Sequence, residues 1–224
     1  MSQASTPLPQ SSAPPALGAE NAAPGTPPVK RTIHPIWVRV THWVNAFAML
    51  LMITSGWQIY NASPLFQGFR FPIEITLGKW LAGARLWHFA AMWLFVGNGL
   101  LYLSLGVATG RFRMKLFPVS IRAFIADSLA AATGKLSHAD LSVYNAVQKA
   151  LYLGVILLGI VVVLSGLSIW KPVQFQELTA LFGGYDVARF IHFLAMTGIV
   201  GFVVIHVSVA LLVPKSLIAI FRGR

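Results

Sequence analysis

Six histidines are the side chains of this sequence best suited to chemistry, since it has no cysteine and only six carboxylates. Two of them, His192 and His206, stand fourteen residues apart inside one long apolar run. Fourteen residues of α-helix make almost four whole turns, so both imidazoles leave nearly the same face, separated by roughly 21 Å of rise. Two more, His42 and His88, each lie near the start of an earlier apolar run. A neutral imidazole is a good ligand for a transition metal. Four of them in apolar segments point to metal binding rather than to acid–base work at a surface.

The elements that must position these residues are membrane helices. Hydrophobic residues make up 56% of the 224 and charged residues only 10%, with a mean hydropathy of +0.70. Soluble domains carry about 25% charged residues, so a water-soluble fold is excluded. Four apolar segments, at about 36–60, 86–108, 146–169 and 190–213, are each long enough to span a bilayer. The pattern predicts an all-α membrane protein, a bundle of four transmembrane helices over residues 34–215. Residues 1–33 read as a disordered Pro/Ala-rich tail, and 216–224 as a short basic tail. The stretch 116–132 predicts a short amphipathic helix at the interface. No internal repeat is read from the pattern.

A net charge of +11 would suggest nucleic acid in a soluble protein. Here the cations flank the apolar segments and orient the chain, and no nucleic acid is expected. Twelve of the seventeen Lys and Arg fall on the side that holds both termini and the 109–143 loop. The positive-inside rule therefore predicts a multi-pass membrane protein with both termini cytoplasmic.

That topology sorts the histidines by depth. His42 starts the first, outward-running helix, and His206 ends the fourth, inward-running one. Both fall near the cytoplasmic face. His88 and His192 begin the inward-running helices, so both fall near the outer face. Ionisable groups inside a membrane usually mark function, and a pair at each depth suits two stacked haems with bis-histidine axial ligation. That ligation leaves no open iron position, which favours electron transfer over oxygen chemistry. Without cysteine there is no iron–sulfur cluster and no covalent haem attachment, so any haem must be non-covalent, as haem b is. Interhelical hydrogen bonding is the alternative for any one of these histidines. His34 and His138 lack depth-matched partners and read as loop residues.

Three of the four histidines have an arginine one turn earlier: Arg39, Arg85 and Arg189. At i−3 each shares the histidine's face but lies nearer water, where a guanidinium suits a haem propionate. Snorkelling accounts equally well for any single arginine. Gly56 shares the His42 face at outer depth, where it would let a porphyrin approach the backbone. Gly154, Gly159, Gly166, Gly198 and Gly201 fit that reading and close helix packing equally.

The segment RVTHWVNAFAMLLMITSGWQIY resembles the first helix of the bacterial di-haem cytochrome b family, which includes cytochrome b561 and the nickel–iron-hydrogenase cytochrome b subunits. RLWHFAAMWLFVGNG, YNAVQKALYLGVILLGIVVVLSG and ARFIHFLAMTGIVGFVVIH resemble its second to fourth helices, so the likeness runs from residue 34 to about 215. The resemblance implies a haem-binding four-helix bundle with ligands at His42, His88, His192 and His206. It implies an electron-transfer subunit rather than a catalytic one, anchoring a periplasmic redox partner and exchanging electrons with quinone. GWQIYNASPLF and KPVQFQELTALFGGYD look most like members paired with molybdopterin oxidoreductases, and a hydrogenase partner stays open. Arg39, Asn45, Tyr144, Gln148 and Lys149 are candidates for quinone contact near the inner pair. A stand-alone membrane enzyme passing electrons from superoxide to quinone is the alternative of a different class.

Overall fold

The computed structural model describes residues 34–118, 120–133, 144–212 and 214–223. The 1–33 tail and His138 lie outside the described residues. Four long helices dominate: α1 (Ile36–Ala62), α2 (Leu81–Ala108), α5 (Ala146–Trp170) and α7 (Tyr185–Leu212). Between them lie α3 (Arg111–Leu116), α4 (Ile121–Ala132) and α6 (Gln176–Leu181), and α8 (Pro214–Arg222) follows α7. Among the described residues there is no β-strand. The long helices have 25 to 28 residues, or about 40 Å at 1.5 Å per residue, enough to cross a hydrocarbon core with turns to spare. Helix is the form the chain must take there, because lipid offers no partner to a free backbone group.

Two of these helices start earlier than the apolar pattern indicates, α2 at Leu81 rather than about 86 and α7 at Tyr185 rather than about 190. Their first turns carry Gly83 and Arg85, and Asp186 and Arg189. Polarity ends at the hydrocarbon boundary, but the helix runs on into the headgroup layer. The backbone bonds Ala84 N–H to Trp80 O (2.9 Å) and Ala188 N–H to Gly184 O (3.0 Å) hold those turns. The amphipathic helix expected over 116–132 is divided between α3 and α4, with Pro118 in the break. At the start of α5, Asn145 and Gln148 form a reciprocal capping box.

The bundle is antiparallel. α1 packs chiefly on α2, and α5 on α7. The start of α1 meets the end of α7 through His42 and His206, and its far end meets the start of α7 through Tyr60 and Phe193. The proximal end is therefore where α1 begins and α8 finishes. The distal end carries the 63–80 and 171–184 connections. Small residues fill the centre: Ala48, Ala84, Ala188, Ser55, Ser165 and Ser168 are fully buried, while Leu86 and Leu100 face outward. This inversion of a water-soluble core is expected where lipid is as apolar as leucine and close backbone approach drives packing.

The structure corrects the expectation of no internal repeat. The α2 segment ARLWHFAAM (84–92) and the α7 segment ARFIHFLAM (188–196) carry Ala, Arg, His, Phe, Ala and Met at matching places. Ala84 and Ala188 are both 0% exposed, and Ala91 and Ala195 both 3%. Each helix is thus buried along the same stripe. The preceding helices match too, with Ser55–Gly56 on α1 and Ser165–Gly166 on α5. The bundle is one helical hairpin built twice.

At the distal end Asn61 replaces a strand partner, its amide donating to and accepting from the Phe71 backbone (both 2.8 Å). Trp57, Tyr60, Phe66, Phe69 and Phe71 close around this loop. At the proximal end the segment expected as a basic tail is helix α8, locked to α1. Arg39 donates to the carbonyls of Ile220 (3.2 Å) and Phe221, a favourable place for a cation because a helix C-terminus is electronegative. Gly223 closes α8 at φ +80° and its carbonyl accepts from His34 N–H at 3.4 Å. Trp43 stacks on Phe221 at 4.6 Å.

His34 lies before α1, and Arg111 Nη2 sits 3.4 Å from its Nδ1. Burial, then the charges of Arg111, His42, Lys115 and Arg39, push its pKa down to about 4. The folded protein therefore holds His34 neutral at a pH where the unfolded chain protonates it. Its contribution to stability is full above pH 6.5 and is lost as the pH falls toward 4. In His34→Gln the fall in melting temperature between pH 7 and pH 4.5, measured in detergent, is expected to be shallower than in the parent. Lengthening the buried stripe has a larger effect. Ala188→Leu is expected to destabilise by about 1–3 kcal/mol through overpacking, while Leu86→Ala, 73% exposed in the parent, leaves the melting temperature nearly unchanged.

Candidate functional site

The four histidines of the spans fall into the two pairs that depth assigns. His42 on α1 and His206 on α7 have ring centroids 6.0 Å apart at the proximal end. His88 on α2 and His192 on α7 lie at the distal end, beside Gly56 of α1 and Gly166 of α5 respectively. All four rings are half-buried. His42 packs edge-on to Trp43 at 5.2 Å, and His206 stacks on Phe202 at 5.5 Å.

Each distal ring is held from the neighbouring helix by a Ser–Gly pair. Ser55 Oγ lies 3.0 Å from His88 Nδ1, and Ser165 Oγ 3.1 Å from His192 Nδ1. The glycine beside each serine gives the imidazole its room. A Cβ at Gly56 would stand 3.4 Å from His88 Cε1, and one at Gly166 3.2 Å from His192 Cε1. Gly56 thus abuts the His88 imidazole. Gly198 faces Leu158, whereas a Cβ at Gly154, Gly159 or Gly201 meets nothing within 4 Å.

The arginines behave differently from one another. Arg39 is engaged with α8. Arg85 lies 5.8 Å from the Phe89 ring centroid. Arg189 donates to the Ser63 carbonyl at 2.8 Å and hydroxyl at 3.2 Å, joining α7 to the end of α1. Among the quinone candidates, Asn45 accepts from Asn98 (3.3 Å), Gln148 caps α5, and Lys149 donates to Pro118 O (3.3 Å). Tyr144 is left at the proximal end, hydrogen-bonded by Arg111 and 5.8 Å from Lys115 Nζ. Burial raises its pKa, and the Arg111 charge opposes that rise. Tyr144 packs at a tilt against Tyr152 at 5.1 Å, which reaches Phe202 beside His206.

This donor set selects the kind of metal it can take. Among the described residues no three of His, Cys, Asp or Glu converge, so side chains alone provide no complete coordination shell. Pairs of imidazoles are what an iron already held by a porphyrin needs on its axis. The distal nitrogens fit that use. With Nδ1 of each ring engaged by serine, Nε2 remains, and among the described residues no buried side-chain nitrogen or oxygen lacks a partner. The half-buried rings therefore turn Nε2 toward open space. Ser55 and Ser165 were not among the residues expected from sequence. The signal for them is the Ser–Gly dipeptide that occurs once in each of two apolar runs.

The family model described as prokaryotic cytochrome b561 matches residues 33–223. A protein of Azospira oryzae, described as a putative protein-methionine-sulfoxide reductase subunit YedZ1, is 56% identical over 191 residues. The match covers 85% of this chain and 96% of that relative. With four membrane-length helices and a haem b family over nearly all described residues, this chain belongs to the prokaryotic cytochrome b561 family.

Proposed function

We propose that the protein is the membrane subunit of a two-part reductase, carrying electrons from quinol to a periplasmic molybdopterin-dependent partner that reduces methionine sulfoxide. The observation that carries the electron path is the pairing of four imidazoles at two depths of one bundle. The similarity to a methionine-sulfoxide reductase subunit supports the partner. Haem b at each pair would supply one-electron chemistry, with His42 and His206 as proximal ligands and His88 and His192 as distal ligands. The charge asymmetry of the loops supports a cytoplasmic proximal end and a periplasmic distal end.

The residues divide the work by place. At the proximal end Tyr144, held by Arg111, offers a phenol to a quinol hydroxyl where two protons must leave as two electrons enter the bundle. Arg85 and Arg189 stand one turn from the distal ligands, at the depth a propionate would reach. The aromatic loop around Phe71 and the exposed Val173 and Leu181 face the side on which the partner docks. Reducing a sulfoxide to a sulfide and water uses two electrons and two protons, so two one-electron transfers through the bundle complete each turnover.

A pyridine-haemochrome assay of the purified chain is expected to give two b haems. His192→Ala is expected to lose the distal haem and keep the proximal one, and His42→Ala the reverse. An unchanged count in His192→Ala would falsify the ligand assignment. Tyr144→Phe is expected to raise the KM for quinol several-fold with the haem count unchanged, measured as the rate of haem reduction at varied quinol concentration.

A further inference from the structure

The distal histidines are held by one arrangement made twice, and its hydrogen bonds fix where the protons are. A serine hydroxyl has a single proton. Ser55 Oγ lies 2.5 Å from the Leu51 carbonyl and Ser165 Oγ 2.7 Å from the Val161 carbonyl, each four residues back on its own helix. A carbonyl only accepts, so both serine protons are committed to the backbone. The serine oxygens must then accept from the imidazoles, which makes Nδ1 the protonated nitrogen of His88 and His192. Nε2 is left deprotonated, with its lone pair available to a metal.

We propose that Ser55 and Ser165 are positioning residues. They fix the Nδ1–H tautomer of His88 and His192 and lower the reduction potential of the distal haem relative to the proximal one. The inference rests on the ligand assignment above. An imidazole whose N–H is hydrogen-bonded is a more basic ligand, and a stronger donor favours ferric over ferrous iron. Second-shell hydrogen bonding is one of the protein's levers on haem potential. The proximal pair is set differently. Among the described residues, His42 and His206 meet aromatic rings and each other, with no hydrogen bond to either imidazole. The duplicated hairpin therefore gives both distal ligands a hydrogen-bond acceptor and neither proximal ligand one.

The test is a spectroelectrochemical titration of the full chain, after its haems have been counted, for the parent, S55A, S165A and the double variant. S168A is the control. Ser168 is as fully buried as Ser165 on the same helix and donates to Leu164 O at 3.1 Å, but among the described residues it is hydrogen-bonded to no histidine. The His192→Ala protein identifies which wave is proximal. One potential is expected to rise in each single variant and furthest in the double, with the other fixed and S168A silent. A distal potential that stays or falls, waves that move together, or an S168A shift as large as that of S165A would overturn the proposal. Loss of the distal haem from the double variant but not from S168A supports it, and loss from both overturns it. A parent count other than two refutes the two-haem reading alone, and the serine assignment is then read on the wave that remains.

Discussion

A polar ring nitrogen inside a hydrocarbon layer is costly unless the protein gives it a partner, because no water is there to satisfy it. That constraint organises this bundle. One nitrogen of each distal ring, Nδ1, goes to a serine that is itself tied to its own helix. The serine reaches the ring only if the two helices approach closely, and close approach requires small side chains. Gly56 and Gly166 lie directly against the imidazoles, and Ala84, Ala91, Ala188 and Ala195 bury the stripe above and below them. Packing and ligand chemistry are thus one requirement, met by the same face of each helix.

Much of this was legible in the sequence because membrane depth is nearly a one-dimensional quantity. Helix direction and residue number place His42 beside His206 and His88 beside His192 with no knowledge of lateral packing. What depth cannot give is which face meets which neighbour. Arg39 looked like a haem contact because it precedes His42 by one turn, yet the structure engages it with the α8 carbonyls, far away in sequence. Asn45 and Gln148 are likewise committed to a neighbouring helix and to a cap. Ser55 and Ser165 escaped notice because a lone serine in an apolar helix is common, and only the contact across the hairpin distinguishes them.

The repeat was missed for a related reason. Its identities, ARxxHFxAM, lie on one helical stripe, while the lipid-facing positions between them differ freely. Overall similarity between the hairpins is therefore low even though the buried stripe is nearly invariant within the molecule. Residues that touch lipid need only be apolar, whereas residues that touch a neighbouring backbone must also be the right size. Reading the stripe rather than the string exposes the duplication.

Duplication also explains why the two ends differ. At the distal end the matching residues of the hairpins are identical, Ser with Ser and His with His, and the pair is symmetric. At the proximal end the match is broken: Tyr152 stands where the first hairpin has His42, and Tyr102 stands where the second has His206. Each hairpin then contributes one histidine and one tyrosine. The histidines meet on one side, while Tyr152 packs with Tyr144 and, through Phe202, reaches His206. Had both copies kept histidine, four imidazoles would crowd one level and the phenols of Tyr102 and Tyr152 would be absent. Breaking the symmetry at one end leaves a single histidine pair there and sets phenolic side chains beside it. The unbroken end keeps two histidines, each held by its own serine.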